Sequence, residues 1–216
     1  MITNVGPYGA EEPKIDINDS KITVTSSNQT YSGSTKYAYD SITVKYDGVT
    51  LVRNTDYTLS GTTSYTNAGT YSVTIAGIGK YKGIRSQNWT IDKKTITFTY
   101  TVKVNGTTWG VNSTNKKKIS GTGSSNGITF TVTATSSPSG YTPKTYTYSV
   151  SNSNYIGVTS TSVSSGTGTG TVYFKKTDTN SYRYFSIRVS AVNQTVTSNY
   201  QLSTTTTSRY VYFSAT

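Results

Sequence analysis

The residues of this chain that could do chemistry are cations set among tyrosines in its second half. Lysine and arginine attract acidic partners, and tyrosine rings beside them offer flat, partly apolar faces for stacking. We predict a docking surface built from seven basic residues: Lys116, Lys117, Lys118, Lys175, Lys176, Arg183 and Arg209. Tyrosines flank two of them, in Tyr182-Arg183-Tyr184 and in Arg209-Tyr210.

Nucleic acid is an alternative partner for such a surface, because cations pair with phosphates and tyrosines stack on bases. The basic residues are spread over several predicted strands, however, and the sequence contains no RNA-binding or DNA-binding motif. We therefore favour an acidic protein surface as the partner, and we predict no binding of nucleic acid.

Residues suited to catalysis are scarce. The sequence contains no histidine that could activate a serine, and the spacing from Ser113 to Lys116 lies in a polar segment that would not desolvate the lysine and make it a base. Both glutamates, Glu11 and Glu12, are adjacent, which does not suit a pair of catalytic carboxylates. We predict that the protein is not an enzyme.

Metal and cofactor sites are equally unsupported. Cysteine and histidine are absent, and the acidic run from Asp16 to Asp19 lacks the glycine and the distal glutamate of a calcium loop. The glycine-rich run from Gly166 to Gly170 precedes a predicted strand rather than a helix, so it does not resemble a phosphate loop. We predict a flexible hairpin connection at this run, and no cofactor anywhere in the chain.

The elements that must position the basic residues are strands. Serine and threonine together make up 75 of the 216 residues, and leucine occurs three times, so helix formers are few while β-branched and aromatic residues are common. Alternating apolar positions run along several segments of the second half, among them residues 96–104, 128–134 and 185–191. The predicted fold class is therefore all-β.

Charge divides the chain into two parts. Residues 1–92 contain eight basic and eight acidic residues, whereas residues 93–216 contain twelve basic residues and a single acidic one, Asp178. We place the domain boundary between Asp92 and Lys93. Residues 1–19 contain two of the four prolines, Pro7 and Pro13, together with Gly6 and Gly9, which are typical of turns and irregular segments, and they are predicted to form an extended N-terminal arm.

One segment of the first domain has the turn and core pattern of a known module. Between residues 37 and 91, the chain has Asp47-Gly48, Leu51, Asn54-Thr55-Asp56-Tyr57, Asn67-Ala68-Gly69-Thr70, Val73, Ile75, Gly77, Gly79, Tyr81, Gly83, Trp89 and Ile91. In order and spacing, this segment resembles the immunoglobulin-like modules of bacterial and phage surface proteins. The aromatic residues at 57, 81 and 89 are expected in its core.

The resemblance implies two tandem immunoglobulin-like β-sandwich domains, at residues 20–92 and 93–216, following the arm. Such modules display and connect proteins. The N-terminus lacks the basic and apolar regions of a signal peptide, and no apolar run is long enough to span a membrane. Among carriers of the module, these features favour a phage virion protein made in the host cytoplasm.

The function expected on this basis is that of a capsid-associated decoration or fibre protein with weak adhesion to the host surface. Its partners would be other virion proteins, including an acidic capsid surface, together with a host-surface glycan. The alternative is a fragment of a secreted bacterial cell-surface adhesin that binds glycan. The sequence leaves open whether the chain forms a homo-oligomer.

Overall fold

The computed structural model describes residues 12–179 and 181–214, with the backbone alone at residues 161 and 162. In this part of the chain, strands and three short 3-10 turns form the regular structure, and there is no α-helix. The prediction of an all-β protein is confirmed. Across the same residues, no helix has the length and apolar character needed to cross a membrane.

The chain divides into two compact units, called unit 1 and unit 2 below. Unit 1 extends to Lys94 and unit 2 starts at Thr95. The charge boundary at residues 92–93 lies close to this division.

Unit 1 consists of short strands in several small sheets. The strands are β1 (Ile15–Asp16), β2 (Ile22–Ser26), β3 (Gln29–Thr30), β4 (Lys36–Tyr37), β5 (Ile42–Tyr46), β6 (Val49–Thr50), β7 (Tyr57–Gly61), β8 (Ser64–Tyr65), β9 (Gly69–Gly77), β10 (Tyr81–Lys82) and β11 (Ile84–Asp92). The two larger sheets have the orders β3-β11-β9-β7 and β2-β5-β6, and β1 pairs with β10 and β4 with β8. A 3-10 turn at Ala38–Asp40 precedes β5.

The core of unit 1 lies between its two larger sheets. Inward residues of β2 and β5 pack in one buried cluster with inward residues of β9 and β11. The aromatic residues expected in this core are buried, with exposures of 5% for Tyr57, 8% for Tyr81 and 1% for Trp89. Packing of two sheets on a shared core is the arrangement of a β-sandwich.

The hairpin predicted at Asp47-Gly48 is confirmed. These two residues connect β5 to β6, with φ angles of 48° and 82°. A two-residue turn with positive φ at both positions matches the twist of the strands it joins, and glycine adopts such a φ without the steric cost of a side chain.

The predicted N-terminal arm of residues 1–19 is too long at its C-terminal end. Residues 1–11 lie outside the described part of the chain, but Ile15 and Asp16 pair in parallel with Tyr81 and Lys82. Ile17 is fully buried in the core of unit 1. Residues 15–17 therefore belong to unit 1, because burying an isoleucine against the sheets outweighs the irregular character of the sequence before it.

Unit 2 contains longer strands in two sheets. They are β12 (Lys94–Val104), β13 (Thr107–Thr108), β14 (Lys117–Ile119), β15 (Ile128–Ser137), β16 (Pro143–Val150), β17 (Ile156–Ser164), β18 (Thr167–Phe174), β19 (Arg183–Val192), β20 (Tyr200–Leu202) and β21 (Thr207–Phe213), with 3-10 turns at Ser113–Asn115 and Ser124–Asn126. One sheet has the order β13-β12-β15-β18-β17, with β20 also on β12, and the other has the order β14-β21-β19-β16. Their inward residues share one buried core, with Phe130 and Val172 from the first sheet and Phe185 and Val211 from the second.

The hairpin connection predicted at the glycine-rich run of unit 2 is present between β17 and β18, but it is shorter than predicted. The turn is confined to Ser165-Gly166, whereas Gly168 and Gly170 lie inside β18. A Cβ atom on Gly168 would lie 2.7 Å from the ring of Tyr146, and one on Gly170 would lie 2.7 Å from the ring of Phe130. Glycine is present here because aromatic rings of the core occupy the space of its side chain.

Candidate docking surface

The strand register of unit 2 sorts the interleaved cations and tyrosines onto different faces. Tyr184 on β19 lies directly opposite Tyr210 on β21, next to the inward pair Phe185 and Arg209. Successive side chains of a strand point to opposite faces of the sheet. The tyrosines therefore lie on the outer face of the four-stranded sheet.

Arg209 consequently does not belong to the docking surface. Its side chain is 2% exposed, and burial lowers the pKa of its guanidinium group. Nη1 donates hydrogen bonds to Thr207 Oγ1 at 2.8 Å and to the Ser208 carbonyl at 2.7 Å, while Nε has no hydrogen-bond partner among the described residues. The sequence prediction was wrong here because alternation alone does not tell which of two adjacent residues faces inward.

Arg183 has a structural role at the edge of the same surface. Its Nε lies 2.6 Å from Asp178 Oδ2, and its Nη2 donates to Asp178 Oδ1 at 3.3 Å. The Asp178 side chain is 4% exposed and the Arg183 side chain 17%. Asp178 is the single acidic residue of unit 2, and this two-point ion pair satisfies it.

The five lysines of the prediction form two groups, of which the first surrounds β14. Lys116 Nζ lies 5.7 Å from the ring centre of Tyr182 and 5.9 Å from that of Tyr212. Lys118 is exposed and lies opposite Tyr212 in the pairing of β14 with β21. Lys117 is half-buried, at the inward position next to Val211.

The second group follows β18. Lys176 Nζ lies 4.3 Å from the ring centre of Tyr155, and the guanidinium carbon of Arg183 lies 4.9 Å from the same centre. Lys175 donates a hydrogen bond from Nζ to the Ser153 carbonyl at 2.8 Å. Cations over tyrosine rings are attracted by the electron-rich faces, which restrains long side chains at the surface.

The two groups of lysines are linked through Tyr182 and Arg183, which are consecutive in the chain: Tyr182 contacts Lys116 of the first group, and Arg183 shares the ring of Tyr155 with Lys176 of the second. The ring of Tyr210 packs on Tyr182 with 5.3 Å between centres and on Tyr184 with 5.6 Å. Tyr182 and Tyr184 are each 40% exposed. Because Tyr182 contacts Lys116 and precedes Arg183, the predicted residues other than Arg209 lie together at one end of unit 2. This end is called the basic end below. It consists of Lys116, Lys117, Lys118, Lys175, Lys176 and Arg183, with Tyr155, Tyr182, Tyr184, Tyr210 and Tyr212.

The basic end lies far from the point at which the chain enters unit 2. The chain enters at the start of β12, where Thr97 pairs with Ser137 at the end of β15. At the other end of these strands, Ile128 pairs with Val172 of β18, which continues into Lys175 and Lys176. The first residues of β12 and the lysines after β18 are thus at opposite ends of the same sheet.

Charge at the basic end is not compensated within unit 2. Unit 2 has ten basic residues, and Asp178 is its one acidic residue. Since Asp178 is already paired with Arg183, no other acidic side chain of unit 2 is available to neutralise the lysines. No cluster of three or more metal-ligating side chains occurs among the residues that the structure describes.

Comparisons with known proteins give no family. No protein-family model matches the chain, and no curated protein matches it. Among solved structures, the chain is similar to domains 4 and 5 of the S-layer protein SbsC, with 14% identity, a TM-score of 0.34, and coverage of 91% of this chain and 98% of that one. It is also similar to the structure of surface layer protein SbsC domains 1–6, with 13% identity, a TM-score of 0.35, and coverage of 91% of this chain and 28% of that one.

Proposed function

We propose that this chain is a non-enzymatic structural protein that attaches to an acidic partner surface through the basic end of unit 2 and displays unit 1. The observation that carries the proposal is the meeting of five lysines and a cluster of exposed tyrosines at one end of a unit whose single carboxylate side chain is already paired. Such a surface repels its own copies, and an acidic partner removes that repulsion.

The direction of β12 supports the proposal that unit 2 attaches to the partner and unit 1 is displayed. The chain enters unit 2 at the end opposite the basic end, so a partner bound at the basic end leaves the entry point uncovered. For the setting, we propose a phage virion, with an acidic capsid surface as the partner and two immunoglobulin-like sandwiches as the units.

The attachment is tested with two variants that lose the same number of positive charges at different positions in the chain. In one variant, the five lysines of the basic end (Lys116, Lys117, Lys118, Lys175 and Lys176) are changed to Gln. In the control variant, five other lysines (Lys80, Lys93, Lys94, Lys103 and Lys144) are changed to Gln, so that both variants have the same net charge. Binding of each full chain to immobilised poly-L-glutamate is measured at several salt concentrations.

The proposal predicts that the first variant loses most of its binding and its salt dependence, while the control keeps most of both. Exposed charges are screened beyond about 8 Å at physiological ionic strength, so localised charge should matter more than total charge. Equal losses in the two variants would show that binding follows net charge alone, and the basic end would lose its role. Imaging of the native assembly tests the virion setting, since it shows which unit contacts the particle.

A further inference from the structure

Unit 1 carries an exposed aromatic and cationic cluster that is not part of the basic end. Tyr37 is 41% exposed and Tyr39 is 40% exposed, and their rings are stacked with 5.1 Å between centres and 25° between planes. The guanidinium carbon of Arg53 lies 4.3 Å from the ring centre of Tyr39. These three residues are called the Tyr-Arg stack below.

The two tyrosines are mounted on a rigid segment. Ala38 between them is fully buried and donates its backbone N–H to the Thr63 carbonyl at 2.8 Å. The Tyr37 carbonyl accepts a hydrogen bond from Gln29 Nε2 at 2.8 Å. Both rings are therefore held at the surface by backbone that is tied to the core.

Arg53 is mounted on a second rigid segment. Its loop begins after Leu51, which is 7% exposed, and ends at Tyr57, which is 5% exposed. Inside the loop, Val52 donates its N–H to Asp56 Oδ2 at 2.7 Å, and Asn54 donates its N–H to the Tyr57 carbonyl at 2.7 Å. A ligand would therefore meet a cluster that loses little conformational entropy on binding.

The charge of Arg53 has no internal partner. Arg53 is exposed, and among the described residues no carboxylate forms an ion pair with it. Contact with Tyr39 holds the guanidinium group while leaving its N–H donors available, and this planar fork suits a carboxylate. The nearby Asp56 accepts the Val52 N–H through Oδ2 and forms no ion pair with Arg53.

From this geometry we infer that the Tyr-Arg stack is a binding site for a carboxylate-bearing sugar. The exposed ring of Tyr37 would pack against the C–H face of the pyranose, and Arg53 would donate hydrogen bonds to the sugar carboxylate. The phenol hydroxyls and the nearby Ser64, which lies opposite Tyr37 in the pairing of β4 with β8, add neutral hydrogen-bonding groups. The site is separate from the basic end and does not depend on the proposed attachment.

The size of the cluster favours a sugar over a protein partner. Besides the Tyr-Arg stack, the exposed apolar side chains on the neighbouring segments are Val52, which is 58% exposed, and Tyr65 on β8, which is 44% exposed. A standard protein interface uses about 20–30 residues on each side, many more than this cluster offers. One or two sugar rings would cover it.

The experiment is a titration of the full-length protein with methyl glucuronide and, in parallel, with methyl glucoside, followed by NMR. The two probes differ in the carboxylate. We expect saturable chemical-shift changes for residues 37–40 and 51–57 with methyl glucuronide, and binding of methyl glucoside that is about tenfold weaker, the effect of losing a charge-assisted hydrogen-bonded pair.

Two variants and two controls complete the test. Tyr37→Ala should abolish the shifts, and Arg53→Lys should reduce the preference for the glucuronide about tenfold, because lysine keeps the charge and loses the fork. Arg85→Lys on β11 and Tyr184→Ala in unit 2 should bind like the unmodified protein. Absence of saturable shifts, equal binding of the two probes, or an unchanged preference in Arg53→Lys would each overturn the inference.

Discussion

Trp89→Ala is a sharp test of how unit 1 is held together. Trp89 is 1% exposed, its Nε1 donates to the Thr62 carbonyl at 2.8 Å, and its ring centre lies 5.4 Å from that of Tyr71. Truncating a buried tryptophan costs roughly 3–5 kcal/mol, and leaving the Thr62 carbonyl unpaired adds about 1 kcal/mol. The free energy of unfolding of a domain is about 5–15 kcal/mol, so a loss of this size is a large fraction of the stability of unit 1.

The chain offers a matched variant in unit 2. Trp109 is also 1% exposed, its Nε1 donates to the Asn115 carbonyl at 3.0 Å, and its ring centre lies 5.6 Å from that of Phe185. The sequence has two tryptophans, one in each unit. Each alanine variant therefore retains one tryptophan, whose fluorescence reports on the unmutated unit.

The assay is urea unfolding followed by circular dichroism and by tryptophan fluorescence. With a slope of about 1.5 kcal/mol per molar urea, a loss of roughly 4 kcal/mol moves the midpoint of the mutated unit down by about 2–3 M. In Trp89→Ala, the fluorescence of Trp109 should keep its original midpoint while circular dichroism shows an earlier transition. Trp109→Ala should give the reverse result with Trp89 as the reporter.

The result that would refute this reasoning is a shift of the fluorescence and circular dichroism midpoints to the same lower urea concentration. If the fluorescence midpoint of Trp109 fell together with the circular dichroism transition in Trp89→Ala, the two units would unfold as one cooperative structure. If Trp89→Ala changed neither signal, the tryptophan would not be a core residue.

Three further predictions concern single side chains. Arg209→Met should raise the free energy of unfolding by about 1–3 kcal/mol, because an apolar chain replaces a buried guanidinium group that has no carboxylate partner among the described residues. A lower melting temperature would show that the two hydrogen bonds of Arg209 outweigh the cost of desolvating its guanidinium group. Gly48→Ala should destabilise unit 1 by about 1–2 kcal/mol in urea unfolding. The space beside Gly48 is open, but its φ of +82° is costly for alanine. An unchanged midpoint would mean that the turn relaxes to another conformation. Burial raises the pKa of Tyr146, so its contribution to stability is complete below about pH 10 and is lost as the pH rises further. Ultraviolet absorbance should show this tyrosine ionising together with alkaline unfolding, and ionisation in the folded protein would contradict the prediction.

The sequence was informative where a local pattern has one structural solution. Asp47-Gly48 predicts a tight hairpin because few other turns tolerate positive φ at two successive positions, and the structure has that hairpin. The alternation over residues 128–134 predicts a strand with one buried face, and it lies in β15. β17 was missed because residues 156–164 are mostly serine, threonine and glycine, so their few apolar residues show little periodicity.

The docking surface shows what a local pattern cannot supply. In Arg209-Tyr210, either residue could face outward, and the choice depends on the pairing of β21 with β19, which comes from a segment more than twenty residues away. That pairing turns Tyr210 outward against Tyr184 and Arg209 inward against the core. The Tyr-Arg stack was missed for a similar reason, since Tyr39 and Arg53 belong to separate loops that only the folded unit 1 brings together.

The two surfaces of this chain separate charge from aromatic recognition. At the basic end, several lysines surround the tyrosines, so the proposed acidic partner would be attracted over a distance and the attraction would weaken with salt. At the Tyr-Arg stack, one cation contacts two rings in a unit with nearly balanced charge, so attraction acts mainly at contact and depends on the geometry of one group. A protein that attaches by the first surface and samples ligands by the second would hold its partner firmly while its displayed unit binds weakly and reversibly. The steeper salt dependence of the first surface would separate these activities in a single preparation.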